Sequence, residues 1–166
     1  FHGGVGFTQC GRNKRGLTLD MASEKGRELF HRLLKNTDIV VANLPHSSIK
    51  SLGMDYEDMC KVKPDIIFVP LTTFGSEGPY KARLGMDGIA QVMSGLTQLS
   101  GYPNDPMKSQ AAWVDMTTGM MGAFGAMAAL RHRDATGQGQ KVEANLLHTA
   151  LGIGNYFLID QDFNKD

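Results

Sequence analysis

Cysteine is scarce in this sequence: Cys10 and Cys60 stand far apart and in no C-x-x-C pair. That spacing supports neither a disulfide framework nor a zinc site. Net charge is missing as well, because 17 lysines and arginines balance 17 aspartates and glutamates. Without an overall field, neither nucleic acid nor an anionic membrane is implied as a partner, and any bound anion must meet a local cluster of cations. Long apolar runs are also absent. The longest, Met116 to Leu130, is shorter than a membrane span and is broken by Thr117, Thr118, Gly119, Gly122 and Gly125. No signal-peptide pattern opens the sequence, so the expectation is a soluble protein in the reducing cytoplasm.

The common catalytic patterns are missing too. There is no Walker A loop, and Gly4-Val5-Gly6 is not completed by glycine at position 9, which is Gln9. No G-x-S-x-G elbow occurs, and Ser47-Ser48-Ile49-Lys50 fits S-x-x-K without its partner motifs S-D-N and K-T-G. The five histidines (His2, His31, His46, His132 and His148) have no metal-ligand spacing, and His31 lies between Arg27 and Lys35 on what reads as a solvated helix face. No metal is expected.

What is present is an alternation of strand and helix signals. At 166 residues the chain is long enough for one α/β domain with a real core. Residues 17–20 read as a short strand. Ser23 caps a helix to about Asn36, with Leu29, Phe30, Leu33 and Leu34 on one face. Residues 38–42 and 65–71 read as strands buried on both faces, and between them Asp55 caps a helix ending near Val62, before Pro64. Such alternation predicts a parallel sheet with helices on its faces and right-handed crossovers. Residues 74–80 form a turn-rich loop, a helix is expected from about Asp87 to Leu99, and 101–110 is a polar loop with Pro103 and Pro106. A helix opens near Asp115. Residues 136–140 are a turn, 141–145 a strand, and 146 to about 159 a helix.

The helix after Asp115 carries Gly119, Gly122 and Gly125, each costing about 1 kcal/mol relative to alanine. Close approach of another backbone, within a tightly packed interior, is the expected reason. Asp115 itself admits two readings. It is a preferred N-cap type, and the local pattern by itself favours that role. It is also a carboxylate at a positive helix end, beside positions kept free of bulk.

Strings along nearly the whole chain bear on that choice. Arg12 to Asp20 (RNKRGLTLD), Ser23 to Asn43, the strand Pro64 to Val69, the loop Phe74 to Tyr80, Gly85-Met86-Asp87, Trp113 to Gly119 (WVDMTTG), Thr136 to Val142 and Gly154 to Phe157 follow one another in unbroken family order. Together they resemble class III (CaiB/BaiF-type) CoA-transferases, nearest to the formyl-CoA and carnitine CoA-transferases. The resemblance implies a Rossmann-like parallel α/β sheet with flanking helices, part of the large domain of an interlocked homodimer. It implies transfer of CoA between an acyl-CoA and a free carboxylic acid through an aspartyl anhydride and an aspartyl-CoA thioester, with Asp115 as nucleophile.

For coenzyme A, bound as substrate, it points to Lys14, Arg15, Leu19, Asn43, Lys50, Arg83, Met86 and Gly119. The family's cationic positions are changed at Pro45, Ser51 and Leu84, with Lys50 and Arg83 adjacent as substitutes. Members are well over twice this length, so residues 1–166 are expected to be a partial large domain, lacking its start and the C-terminal part. The opening on Phe1 and the close on Asn164-Lys165-Asp166 agree with a fragment, which by itself could be inactive. The neighbouring reading, an α-methylacyl-CoA racemase, would use histidine where this chain has Met86, and methionine carries no proton.

Overall fold

The computed structural model describes residues 4–164. The terminal residues noted above, Phe1, His2, Lys165 and Asp166, lie outside the described residues. The element order is α1 (Val5–Cys10), α2 (Glu24–Leu34), β1 (Ile39–Ala42), α3 (His46–Ser51), α4 (Tyr56–Val62), β2 (Ile67–Thr72) and α5 (Asp87–Met93). A single 3₁₀ turn (Leu96–Leu99), a two-residue hairpin of β3 (Gly101–Tyr102) and β4 (Asp105–Pro106), α6 (Trp113–Thr136), β5 (Ala144–Asn145), α7 (Leu146–Ile153) and α8 (Asn155–Phe163) complete it. The main sheet is parallel, in the order β1-β2-β5, with Ile39 beside Ile67 and Leu71 beside Ala144.

The central strand explains the layering. In an extended chain successive side chains point to opposite faces. Ile66 and Phe68 enter one core with Leu34, Ala42, Ile49 and Met59, contributed by α2, β1, α3 and α4. Ile67 and Val69 enter the other with Ala126 and Ala129 of α6. A continuous apolar run is what a strand covered on both faces requires. Burying each of these large side chains contributes roughly 1.5–3 kcal/mol. A third cluster, Ala90, Val114 and Ala150, joins α5, the start of α6 and α7. Arg133 fastens the far end of α6 to the starts of both strands, pairing with Asp38 at 3.0 Å and Asp65 at 3.7 Å.

The capping expectations at α2 and α4 hold. Ser23 Oγ accepts the Gly26 N–H at 3.0 Å, and Asp55 Oδ1 accepts the Asp58 N–H at 2.9 Å. Other expectations are corrected. Residues 17–20 form no strand, because no described strand lies beside them to supply ladder hydrogen bonds. β1 is an edge strand here, with Val41 61% exposed, so it is not buried on both faces. The helix expected at 87–99 breaks at Gly95, whose φ of 79° ends α5 and starts the 3₁₀ turn. The helix from 146 divides at Gly154, where an added Cβ would lie 2.6 Å from Leu96 Cδ2. The strand expected over 141–145 narrows to β5 and a bridge between Lys141 and Phe68.

The glycines of α6 also differ from expectation. Side chains rather than a backbone approach them: a Cβ at Gly122 would meet Leu71 Cδ2 at 2.9 Å, and one at Gly125 would meet Val142 Cγ1 at 2.5 Å. Gly119 has nothing within 4 Å. Close approach therefore accounts for two glycines and leaves the third to another reason.

Candidate active site

α6 begins at Trp113, and Ala112 before it has no capping side chain. Asp115 is the third helical residue, so its backbone N–H is one of the orphan donors of the first turn. That donor is satisfied from a distance. Asp87 Oδ2, on the first residue of α5, accepts the Asp115 N–H at 3.0 Å across 28 positions of sequence. The N-cap reading of Asp115 is therefore corrected: the capping carboxylate is Asp87, and the Asp115 side chain is left free of that duty. Asp87 is buried, and its other oxygen accepts from the side-chain amide of Gln91. Gln91 Oε1 in turn accepts the Ser109 N–H at 2.8 Å, tying the segment before α6 to α5.

The Asp115 carboxylate is held above the usual carboxylate range, first by partial burial and then by the negative charge of Asp87. The side chain is nevertheless exposed, so water screens both influences. One turn on, Thr118 is buried with its hydroxyl oxygen lacking a hydrogen-bond partner. Gly119, four residues after Asp115 and on the same helix face, borders open space. An exposed carboxylate with open space one turn along the helix has the access that attack on a bound group requires.

A cavity of about 720 Å³ opens at the carboxyl ends of β1 and β2. That is where ligands enter open parallel sheets. It brings together Asn43, Lys50 and Arg83, the substitutes Lys50 and Arg83 standing with Pro45 and Leu84 on its wall. Arg83 is oriented by stacking over Tyr80, 4.4 Å from the ring centroid. Sequence reasoning missed Lys81, Lys141 and His46, which also line it. His46 Nε2 is buried without a partner, which marks a polar position left for something else to satisfy. The available signal was the cationic run Lys81 to Arg83. His46 was hidden because the helix α3 that carries it has no strong sequence signature.

The remaining candidates lie elsewhere. Lys14 and Arg15 sit in the exposed segment after α1, where the Lys14 ammonium donates to the Cys10 carbonyl. Leu19 lines a separate groove between its own segment and α2, beside Leu29 and Leu33. Met86 is exposed and flanks α5 without a side-chain cap. Asp115 is not on the wall of the large cavity. Among the described residues there is no group of three or more metal-ligating side chains, and no helix is long and apolar enough to cross a membrane.

A parallel α/β layer, a cavity at its strand ends and a partly desolvated carboxylate at a remotely capped helix start place the chain among open-sheet α/β domains. The profile of CoA-transferase family III matches residues 2–166, and the chain belongs to that family. It is 35% identical over 148 residues to an acyl-CoA transferase of Fusarium pseudograminearum, covering 89% of this chain and 32% of that protein. It is also 35% identical to the succinate–glutarate CoA-transferase of Agrobacterium fabrum, covering 92% of this chain and 38% of that protein. A CaiB/BaiF family protein from Brucella suis superposes with a TM-score of 0.87 at 32% identity, over 92% of this chain and 41% of that one. The chain spans about a third of the length of the curated relatives it matches.

Proposed function

We propose that this chain carries the nucleophile of a CoA-transferase that moves CoA between an acyl-CoA and a small carboxylic acid. The observation that carries the reading is Asp115, an exposed carboxylate released from capping by Asp87 and facing the free space at Gly119. Family membership supports it, as do the names of relatives that transfer CoA to dicarboxylates.

The chemistry follows from a carboxylate as nucleophile. Asp115 attacks the thioester carbonyl of the donor; the C–S bond breaks, CoA leaves as thiolate, and an aspartyl–acyl anhydride forms. The thiolate attacks the aspartyl carbonyl, releasing the donor acid as carboxylate and leaving an aspartyl-CoA thioester. The acceptor carboxylate attacks that thioester, giving a second anhydride and thiolate. Attack of the thiolate on the acceptor's acyl carbonyl yields the new acyl-CoA and restores Asp115. No proton or external energy source is consumed, because each step exchanges one acyl bond for another. Dividing the transfer in this way is nucleophilic catalysis. Gly119, with no side chain, leaves room for the acyl group beside the attacking carboxylate.

The cavity at the strand ends fits the phosphates and adenine of CoA. Lys50, Lys81, Arg83 and Lys141 supply cations, Asn43 a neutral donor and acceptor, and His46 an unsatisfied ring nitrogen. Lys14, Arg15, Leu19 and Met86 remain candidates for contacts completed by parts of the protein beyond this chain. The assembled enzyme is proposed to be a homodimer. The test is turnover of acyl-CoA with an acceptor acid by the full-length protein and by Asp115→Asn. The variant should lose about 10³-fold or more in rate while staying folded. Near-normal turnover would overturn the assignment.

A further inference from the structure

We propose that Asp87 is the positioning residue for Asp115: its buried carboxylate holds the first turn of α6, and with it the nucleophile, in the orientation that attack on a thioester requires. This rests on the nucleophile reading above. The geometry is specific. Of the four orphan N–H donors at the start of α6, the one Asp87 accepts, at 3.0 Å, belongs to Asp115 itself. Asp87 is 8% exposed and is locked through Gln91 to the Ser109 N–H, so the α5 start, the segment before α6 and the Asp115 backbone move together.

A cap needed only for stability would look different. Asparagine or serine accepts an N–H without placing a charge in the interior. At this position a buried carboxylate has no ion pair among the described residues, and it faces a second carboxylate. Burying an unpaired charge beside a like charge is unfavourable, and the positive end of α6 offsets only part of it. The negative charge therefore does something that a neutral cap would not. By raising the proton affinity of Asp115, after the larger influence of burial, it makes that carboxylate more basic and a stronger attacking group.

Other titratable groups on the elements packed here are accounted for. Lys108, in the segment before α6, directs its ammonium to the Ser109 carbonyl. His148, on α7, has a ring nitrogen engaged with the Asn145 amide. Asp87 is thus the charge that acts on Asp115.

The experiment uses the full-length protein and its Asp87→Ala, Asp87→Asn and Asp87→Glu variants. Single-turnover acylation of Asp115 by acyl-CoA is followed by hydroxylamine trapping across a range of pH, together with thermal unfolding. Asp87→Ala should acylate roughly 10²-fold more slowly, the scale of a small misplacement, with KM for acyl-CoA changed less than about threefold. Asp87→Asn keeps the acceptor and should recover to within about tenfold of wild type. Because it removes the charge that favours protonated Asp115, its acidic limb should move to lower pH. A lower unfolding temperature with unchanged acylation rate and pH profile in every variant would overturn the proposal. If Asp87→Ala does not fold, the pH shift in Asp87→Asn decides it. Wild-type protein with no trapped label on Asp115 would instead overturn the nucleophile reading.

Discussion

Asp115 carries more repulsion than a structural aspartate needs, because its backbone is bonded to a second carboxylate and its side chain is partly desolvated. Its pKa in the fold lies above the ordinary carboxylate value, so between those two values the folded state binds more protons than the unfolded one. Stability from this group is therefore lost as pH rises through that window. Asp115→Asn lacks the charge, and at neutral pH its stability should equal wild type or exceed it, within about 0.5 kcal/mol. Urea unfolding at pH 4 and pH 7 checks this, with the variant gaining on wild type as pH rises. Asp115 was legible from Trp113 to Gly119 as a motif, but its freedom from capping was not. That depends on a bond to Asp87 spanning 28 positions, which no local pattern encodes. Lys50 and Arg83 were legible as neighbours of altered family positions. Lys81, Lys141 and His46 converge on them only through the fold.

At the scale of elements, α2, α4 and β2 were legible because capping and apolar runs are local and redundant there. Residues 17–20 have a strand's composition, but a strand exists only against a partner. The helix α3 escaped notice because Pro45 and three serines obscure its single buried contact, Ile49. The glycines of α6 separate packing from function. Gly125→Ala would set a Cβ 2.5 Å from Val142 Cγ1, and overpacking should outweigh the helix gain and cost about 1–3 kcal/mol. Gly119→Ala meets nothing within 4 Å and should stabilise by up to about 1 kcal/mol. It should nevertheless slow turnover, since the methyl enters the space beside Asp115. Thermal unfolding and steady-state rates of the two variants test the contrast. A Gly119→Ala protein as active as wild type would remove that space from the mechanism.

For the whole molecule, large apolar side chains remain at the surface of this chain. Met120, Phe124 and Met127 on α6 are 69%, 73% and 63% exposed, and Tyr156 and Phe163 on α8 are 72% and 83% exposed. Patches of this kind are covered in a functional protein. The full-length protein is expected to be a stable homodimer with an interface beyond about 2,000 Å², and this chain alone is expected to associate nonspecifically. Light scattering at micromolar concentration should give twice the monomer mass. A monodisperse monomer would contradict the assembly. The parallel sheet and its two covered faces were legible in the sequence, whereas the surfaces left uncovered became visible only with the fold.

Covalent acylation of Asp115 is the event on which the proposed function depends. The most direct measurement incubates the full-length protein with acyl-CoA, traps activated carboxylates with hydroxylamine, and maps the product by peptide mass spectrometry. An aspartyl hydroxamate is expected at residue 115, dependent on acyl-CoA and absent in Asp115→Asn. Active protein with no modification at Asp115 in the presence of acyl-CoA would contradict it.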